Sequence, residues 1–284
     1  METIIKKAGV LVEAIPYIQQ FRKKVFVIKY GGSILHDAVI RRRVLEDIVF
    51  LSYVGIRIIL IHGGGPHISS RLKAIGVEPQ FHNGIRVTDG QTLQVVIEEL
   101  DEINRQIVSE IRGLKGDVTG LKGHENIVYV EKKNAERDLG FVGTITNIER
   151  RIIEAHLHQG HITVISPLGV GAGQQTHNVN ADEVASAIAA SLCAEKFVLL
   201  TNVPGVLRDP NDPSTLCSTL TRSDVDRLKQ EGVISGGMIP KVDACIEALL
   251  GGIPKAHIID ARMDRALLLE IFTDTGVGTQ IVQG

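Results

Sequence analysis

Ile58-Ile59-Leu60-Ile61-His62-Gly63-Gly64-Gly65-Pro66 is the stretch on which the reading of this chain turns. Four apolar residues in a row, without polar alternation, suit a strand covered on both faces. Three successive glycines are costly in conformational entropy. Pro66 fits the first turn of a helix, whose N-terminus then faces the loop. A strand, a glycine loop and a helix start in that order make a cradle for an anion at the carboxyl end of a parallel sheet. A plain turn explains the glycines equally well. The oxyanion loop of an esterase is disfavoured, because the chain has no G-x-S-x-G nucleophile elbow.

The same alternation extends outward in both directions. Strands are predicted at Val25 to Tyr30, Arg57 to Ile61, Ile127 to Val130, Ile162 to Ser166, Phe197 to Thr201 and Ala256 to Ile259. Apolar positions at helical spacing predict helices at Ala38 to Val54, Pro66 to Ile75, Gln91 to Leu114, Ala181 to Leu192, Arg222 to Gln230, Met238 to Leu250 and Asp264 to Phe272. Short β-branched runs between such helices imply βαβ units around a mostly parallel sheet. Asp209-Pro210-Asn211-Asp212-Pro213 reads as a surface turn, since regular patterns resume after it. In residues 1–20, Ile4, Ala8, Leu11, Ile15 and Ile18 lay one apolar stripe along a helix that Pro16 should kink. That stripe needs a partner, either its own domain or a neighbouring subunit.

A chain of 284 residues is close to the size, about 250 to 300 residues, at which a single core stops growing. With 44% hydrophobic and 23% charged residues it can bury a sizeable core. Lys plus Arg number 31 and Asp plus Glu 33, so no charge excess marks it for nucleic acid or an anionic membrane. Cys193, Cys217 and Cys245 form no C-x-x-C pair and suggest neither a disulfide framework nor a zinc site. A reducing, cytoplasmic setting is expected. Glu13 and Pro16 interrupt the apolar N-terminal run, and no stretch approaches the ~20 apolar residues of a membrane span.

Three further segments carry chemistry. Lys29-Tyr30-Gly31-Gly32-Ser33 follows a strand and puts a charge and a glycine pair at the carboxyl end of the sheet; turn geometry alone also accounts for such glycines. Asn178-Val179-Asn180-Ala181-Asp182 opens a helix with more Asn and Asp than one cap requires. Ser235-Gly236-Gly237-Met238-Ile239-Pro240-Lys241 brings a second lysine to a helix start, where a solvated surface charge is the plainer alternative. G-x-x-x-x-G-K-[ST], G-x-G-x-x-G and the protein-kinase H-R-D and D-F-G elements are absent.

Together with Gly84-Ile85-Arg86-Val87-Thr88-Asp89, these segments in this order resemble the amino acid kinase family, most closely its members that phosphorylate acetylglutamate. The similarity runs over nearly the whole chain from about residue 21. It implies an α/β fold, a three-layer α/β/α sandwich with a mostly parallel central sheet, in a single domain of residues 21–284. About 21–195 would be the acyl-substrate half and about 196–284 the nucleotide half. The implied reaction moves the γ-phosphoryl group of ATP to the γ-carboxylate of N-acetyl-L-glutamate, a step of arginine biosynthesis. A carboxylate nucleophile is already ionised at neutral pH, so no general base is required and the task is to offset repulsion between anions. Mg²⁺ bridging the β- and γ-phosphates shares that task.

By the family pattern, Lys29 and Lys241 stabilise the phosphoryl group in flight and Asp182 holds the two lysines. Gly32, Gly64 and Gly65 offer backbone amides, while Arg86 and Asn178 grip the α-carboxylate and acetamido end of the substrate. Asn202, Val203, Pro204, Gly205, Val206 and Leu207, with Val233, Ile234 and Ser235, would contact the nucleotide; the family usually has Asp where this chain has Asn202. No protein-held metal is expected. The N-terminal helix and His257 to Gly278 resemble the arginine-inhibited, hexameric branch, which implies that His257, Glu270 and Gly276 contact arginine. Arg265 stands where that branch commonly has a less charged residue. A homo-oligomer is expected, a hexamer or, without exchange of the N-terminal helix, a dimer. The rival readings are a related kinase acting on glutamate, aspartate, carbamate or a nucleoside monophosphate, and a non-catalytic arginine sensor. A dehydrogenase lacks its fingerprint.

Overall fold

β1 (Val25–Tyr30) lies at the middle of the molecule and shows why the chain folds as it does. In the computed structural model, which describes residues 9, 12–31, 34–273 and 276–284, its side chains alternate between two cores. Phe26, Ile28 and Tyr30 enter one core and Val27 the other. Lys29, two residues beyond Val27, therefore shares Val27's face. Phe26, Val27 and Ile28 are fully buried, each contributing roughly 1.5–3 kcal/mol. That burial lets the strand carry an ammonium group inside.

The remaining elements before the second half are α1 (Ile15–Phe21), α2 (Ala38–Tyr53), β2 (Arg57–His62), α3 (Gly65–Ala74), β3 (Phe81–His82), β4 (Ile85–Arg86), α4 (Gly90–Gly113) and β5 (Val118–Lys122). There follow β6 (Val128–Lys132), β7 (Gly143–Ile148), α5 (Arg150–His158), β8 (Ile162–Ser166), β9 (Leu168–Val170), β10 (Thr176–Asn178) and α6 (Ala181–Ser191). The chain closes with β11 (Lys196–Thr201), β12 (Thr219–Thr221), α7 (Arg222–Gln230), α8 (Ile239–Leu250), β13 (Lys255–Asp260), α9 (Ala266–Phe272) and β14 (Thr279–Val282).

Eight strands form one sheet in the order β12-β14-β13-β11-β1-β2-β8-β5. Every pairing in it is parallel except β13 with β14. One core, with α6, α7 and α8, covers one face; the other, with α2, α4 and α9, covers the opposite face. This is the expected α/β/α sandwich. From β1 the chain first builds outward through β2 and later returns to β11 on the other side, a switch point of the kind that opens a ligand crevice at the carboxyl ends of the strands.

The expected alternation fails between residues 118 and 178. There β6, β7, β9 and β10 form a separate sheet in the order β10-β9-β6-β7; earlier in the chain, β3 pairs with β4 alone. The strand predicted at Ile127 to Val130 exists as β6 but belongs to this second sheet. Its burial alternates, and only one of its faces meets the core, so apolar content alone could not assign it. Pro16 lies in the first turn of α1, where it is well tolerated. Phe21 packs edge-on to Phe26 at 5.2 Å and Tyr17 to Phe272 at 6.3 Å, so this helix packs on its own domain. Ile4, Ala8 and Leu11 of the predicted stripe lie outside the described residues.

Candidate active site

The sheet's carboxyl edge opens into a cleft of about 900 Å³. Lys29, Gly64, Gly65, Arg86, Asn178, Asp182 and Lys241 all line it. The sequence separates these residues widely, and the topology brings them together. Gly32 lies outside the described residues.

Asp182 is the hub. Asn180 caps α6, its Oδ1 accepting the Asp182 amide at 2.8 Å, so Asp182 stands in the first turn, where the helix dipole favours a negative charge. The Lys29 ammonium is 2.8 Å from Asp182 Oδ1, and Lys241 Nζ is 3.4 Å from Oδ2. Burial would push this carboxyl up, but the two ammonium groups outweigh it and hold the carboxyl below its ordinary value. Lys241 enters from the first turn of α8, behind Pro240 and a tight turn at Gly236–Met238. Lys29 is buried, whereas the Lys241 side chain keeps 23% of its surface exposed. Two cations thus share one anion, and a positive charge is left over for a ligand.

Across the cleft, Gly64 and Gly65 begin α3, whose first amides have no intrahelical acceptor. Gly64 is required by space: a Cβ there would lie 2.7 Å from Leu100 Cδ2 and 3.2 Å from Ile103 Cδ1. Arg86 Nη2 donates to the Gly65 carbonyl at 3.0 Å and to Ser69 Oγ at 2.8 Å, and its guanidinium lies 4.7 Å from the centre of the Phe81 ring. Arg86 Nη1 is buried with no hydrogen-bond partner among the described residues. Such a deficit costs about 1–3 kcal/mol, and a ligand carboxylate would remove it. Asn178 Nδ2 donates to Thr88 Oγ1 at 3.2 Å, and that hydroxyl donates to the Arg86 carbonyl at 2.9 Å. The amide and the guanidinium are therefore set by one connected chain.

His62 does not line this cleft. It is fully buried, and burial pushes its pKa down to about 4. Its ring contacts the Gly63 carbonyl at 3.3 Å and Asn104 Nδ2 at 3.4 Å. A neutral ring held on both sides supports the loop and does not titrate near neutrality.

Asn202 to Leu207 leave the end of β11 beside the cleft but do not line it, and Val233 to Ser235 lead directly into Gly236, which does. Val206 and Ile234 have their side chains in the core, so only their backbone can meet a nucleotide. The loop's shape is set by Gly205 at φ +141°, by the Val206 amide donating to Thr279 Oγ1 at 2.9 Å, and by the Val203 amide donating to Thr201 Oγ1 at 3.1 Å. Asn202 is exposed.

His257, Glu270 and Gly276 meet in a separate polar cavity of about 220 Å³. Glu270 Oε1 lies 2.6 Å from His257 Nδ1, and Oε2 accepts the Val277 amide at 2.7 Å. Lys196, which was not anticipated, places Nζ 3.3 Å from His257 Nε2. An ammonium donates to Nε2 only if the ring carries its proton on Nδ1, and that proton then goes to Glu270. Burial lowers the His257 pKa despite the bond to Glu270. Only the lysine at the head of an otherwise apolar strand hinted at this group. Arg265 has a left-handed backbone, φ +57°, at the start of α9, and bonds Asp47 at 2.7 Å and Glu46 at 2.8 Å. Its charge fastens α9 to α2.

Comparison with known proteins agrees with this geometry. The pattern of the amino acid kinase family matches residues 24–260. The acetylglutamate kinase of Desulforamulus reducens is 45% identical over 281 residues, covering 98% of both chains. That of Thermosynechococcus vestitus is 46% identical over 277 residues, covering 97% of this chain and 94% of the relative. Among solved structures, N-acetylglutamate synthase from Neisseria gonorrhoeae, complexed with coenzyme A and N-acetyl-glutamate, superposes with a TM-score of 0.87 at 28% identity. The match covers 98% of this chain, which spans 63% of that synthase. Giardia carbamate kinase shares the fold, with a TM-score of 0.66 at 16% identity over 92% of this chain and 99% of that one. With the motifs, the sheet order and a match over most of the chain in agreement, this protein belongs to the amino acid kinase family.

Proposed function

We propose that this chain transfers the γ-phosphoryl group of ATP to the γ-carboxylate of N-acetyl-L-glutamate. One observation carries the reading: two lysines from opposite ends of the chain converge on one buried carboxylate at the rim of a glycine-walled cleft. A carboxylate oxygen attacks the γ-phosphorus and forms an acyl phosphate. The bond to the bridging oxygen of ADP breaks, and ADP leaves with the electron pair; no proton is transferred. Lys29 and Lys241 then offset the charge spread over the phosphoryl oxygens, with the α3 amides opposite them.

The substrate preference follows from Arg86 and Asn178. A guanidinium with an unused donor suits an α-carboxylate, a side-chain amide suits an acetamido group, and Leu100 and Val179 line the cleft with apolar surface for a methyl. The high identity to proteins named acetylglutamate kinase supports the same substrate. In this reading residues 21–195 hold the acyl substrate, and residues 196–284, including Asn202 to Leu207 and Val233 to Ser235, hold the nucleotide.

Asp182 is occupied by two lysines, and no cluster of three or more His, Cys, Asp or Glu among the described residues could hold a metal ion. Mg²⁺ would therefore enter with the nucleotide phosphates, with few protein ligands, and would supply further charge neutralisation.

Arginine is the regulatory ligand in the same reading. Glu270 suits a guanidinium, and the like-folded Neisseria synthase has been solved in complex with L-arginine. Assembly as a homo-oligomer, a hexamer if residues before α1 are exchanged between subunits and otherwise a dimer, and a cytoplasmic location complete the proposal. No helix among the described residues is long and apolar enough to cross a membrane.

ADP release measured with ATP, Mg²⁺ and a panel of N-acetylglutamate, glutamate, aspartate, carbamate and a nucleoside monophosphate tests the assignment. N-acetylglutamate should give the highest kcat/KM. A higher value for any other acceptor, or no turnover at all, overturns the reading.

A further inference from the structure

His36 and His67 lie face to face, their ring centroids 3.8 Å apart and their planes 8° from parallel. His36 belongs to the segment that leaves β1 just after Lys29 and Gly31. His67 is the third residue of α3, two beyond Gly65. The stack therefore ties the segment that follows Lys29 to the glycine loop at the start of α3, and Lys29, Gly64 and Gly65 line the cleft. Neither histidine lines the cleft itself.

Each side of the stack is held by other contacts. Ile34 and Leu35 are buried, and Arg41 Nη1 donates to the Leu35 carbonyl at 2.6 Å while its Nε reaches the Glu110 carboxylate at 2.9 and 3.0 Å. On the other side Arg86 grips the Gly65 carbonyl and Ser69. The first turn of α3 is thus clasped between Arg86 and His36.

We propose that His36 and His67 are a positioning pair that sets the separation of the end of β1, with Lys29, from the glycine loop at the start of α3 across the phosphoryl-transfer site, and that the pair holds while both rings are neutral. The proposal rests on the phosphoryl-transfer reading above. Misplacing a catalytic group by about 1 Å can cost on the order of a hundredfold in rate, so a contact that fixes one loop against the other acts on turnover even though it touches no substrate.

The charges around the stack decide its response to pH. Arg41 of α2 faces it, partly neutralised by Glu110 of α4. Asp37 is engaged in capping α2, Glu99 of α4 pairs with Arg71 farther along α3, and Arg86 approaches from β4. Burial first, then His36 and Arg41, hold the His67 pKa below its ordinary value. A histidine whose pKa is lower in the folded state contributes fully above its unfolded value, about 6.5, and loses that contribution as pH falls below it. Two charged rings at this spacing repel each other.

The test compares the parent chain with His36→Ala, His67→Ala and His67→Phe under saturating ATP and Mg²⁺. At pH 8 each alanine variant should lose at least tenfold in kcat, with KM for N-acetylglutamate within about twofold of the parent. His67→Phe keeps a flat ring without a titrating nitrogen, so it should stay within about threefold of the parent kcat and lack the extra fall in kcat that the parent is expected to show as pH drops below about 6.5. Histidine ring-proton NMR of the parent should show both rings shifted upfield and His67 titrating below 6.5. Alanine variants within twofold of the parent, or a phenylalanine variant as impaired as alanine, would overturn the proposal, as would unshifted rings. Because His36 is exposed, His36→Ala decides the matter should His67→Ala fold poorly. An inactive parent removes both the kinase reading and the positioning role; an active parent indifferent to the alanine changes removes only the latter.

Discussion

The Lys29 ammonium stands 2.8 Å from Oδ1 of Asp182, with both residues more than nine-tenths buried. Buried charges persist only when paired, and here the pair is completed by Lys241 at the exposed edge. The arrangement is stable only as a set. It also aims one uncompensated positive charge at the cleft.

Lys29→Ala and Lys241→Ala should each lower kcat by about two to three orders of magnitude, the scale of removing one group that stabilises charge in the transition state. The two should differ in stability. Lys29→Ala leaves a buried carboxylate short of its nearer partner and should unfold at lower denaturant, whereas Lys241→Ala removes a partly exposed charge and should shift the midpoint less. Steady-state rates with urea titrations check both. Near-parental turnover in either variant contradicts the mechanism.

Arg86→Lys should act on the acyl substrate. A single ammonium cannot hold Gly65, Ser69 and a carboxylate together as a guanidinium fork can. We expect KM for N-acetylglutamate to rise at least tenfold while KM for ATP stays within about twofold. An equal rise in both constants would place Arg86 elsewhere in the reaction.

Asp47 makes stability depend on pH. Burial raises its pKa to about 6 in spite of the bond to Arg265. A carboxyl with a raised folded value favours the folded state most at low pH, and that benefit fades as pH rises from about 4 through 6. Asp47→Asn lacks the transition, so its melting temperature relative to the parent should climb across this interval and level off above it. A gap between the two that does not change with pH would show that Asp47 does not titrate there.

Glu270→Gln tests the proposed arginine-binding role of the cavity around His257. The carboxylate holds His257 and the Val277 amide, and it is the anion that a guanidinium would meet. The arginine concentration giving half inhibition should rise at least tenfold. If it is unchanged, arginine acts at some other place.

Much of the fold was legible because the strands of the large sheet are buried on both faces and therefore read as unbroken apolar runs. Val25–Tyr30 and Ile162–Ser166 were bounded correctly for that reason. Most of the small sheet was not legible. Gly143–Ile148 and Thr176–Asn178, like Val118–Lys122 at the edge of the large sheet, are short and only partly buried, and glycine and polar residues in them leave no period to detect. Lys196, His36 and His67 escaped notice for a different cause. Each acts through a partner distant in sequence, and a lone lysine or histidine carries no local pattern.

By itself the chain determined its local chemistry: which strands are apolar, where glycines let the backbone approach an anion, and which helices begin with a lysine, an arginine loop or an aspartate. Those properties depend on neighbours a few residues away. That Lys29 and Lys241 reach the same carboxylate was decided only by the sheet order, which sets β1 between β11 and β2 and turns Lys29 toward the face carrying α6 and α8. Convergence of this kind is a long-range property, because strand pairing and helix packing join residues that no sequence window contains.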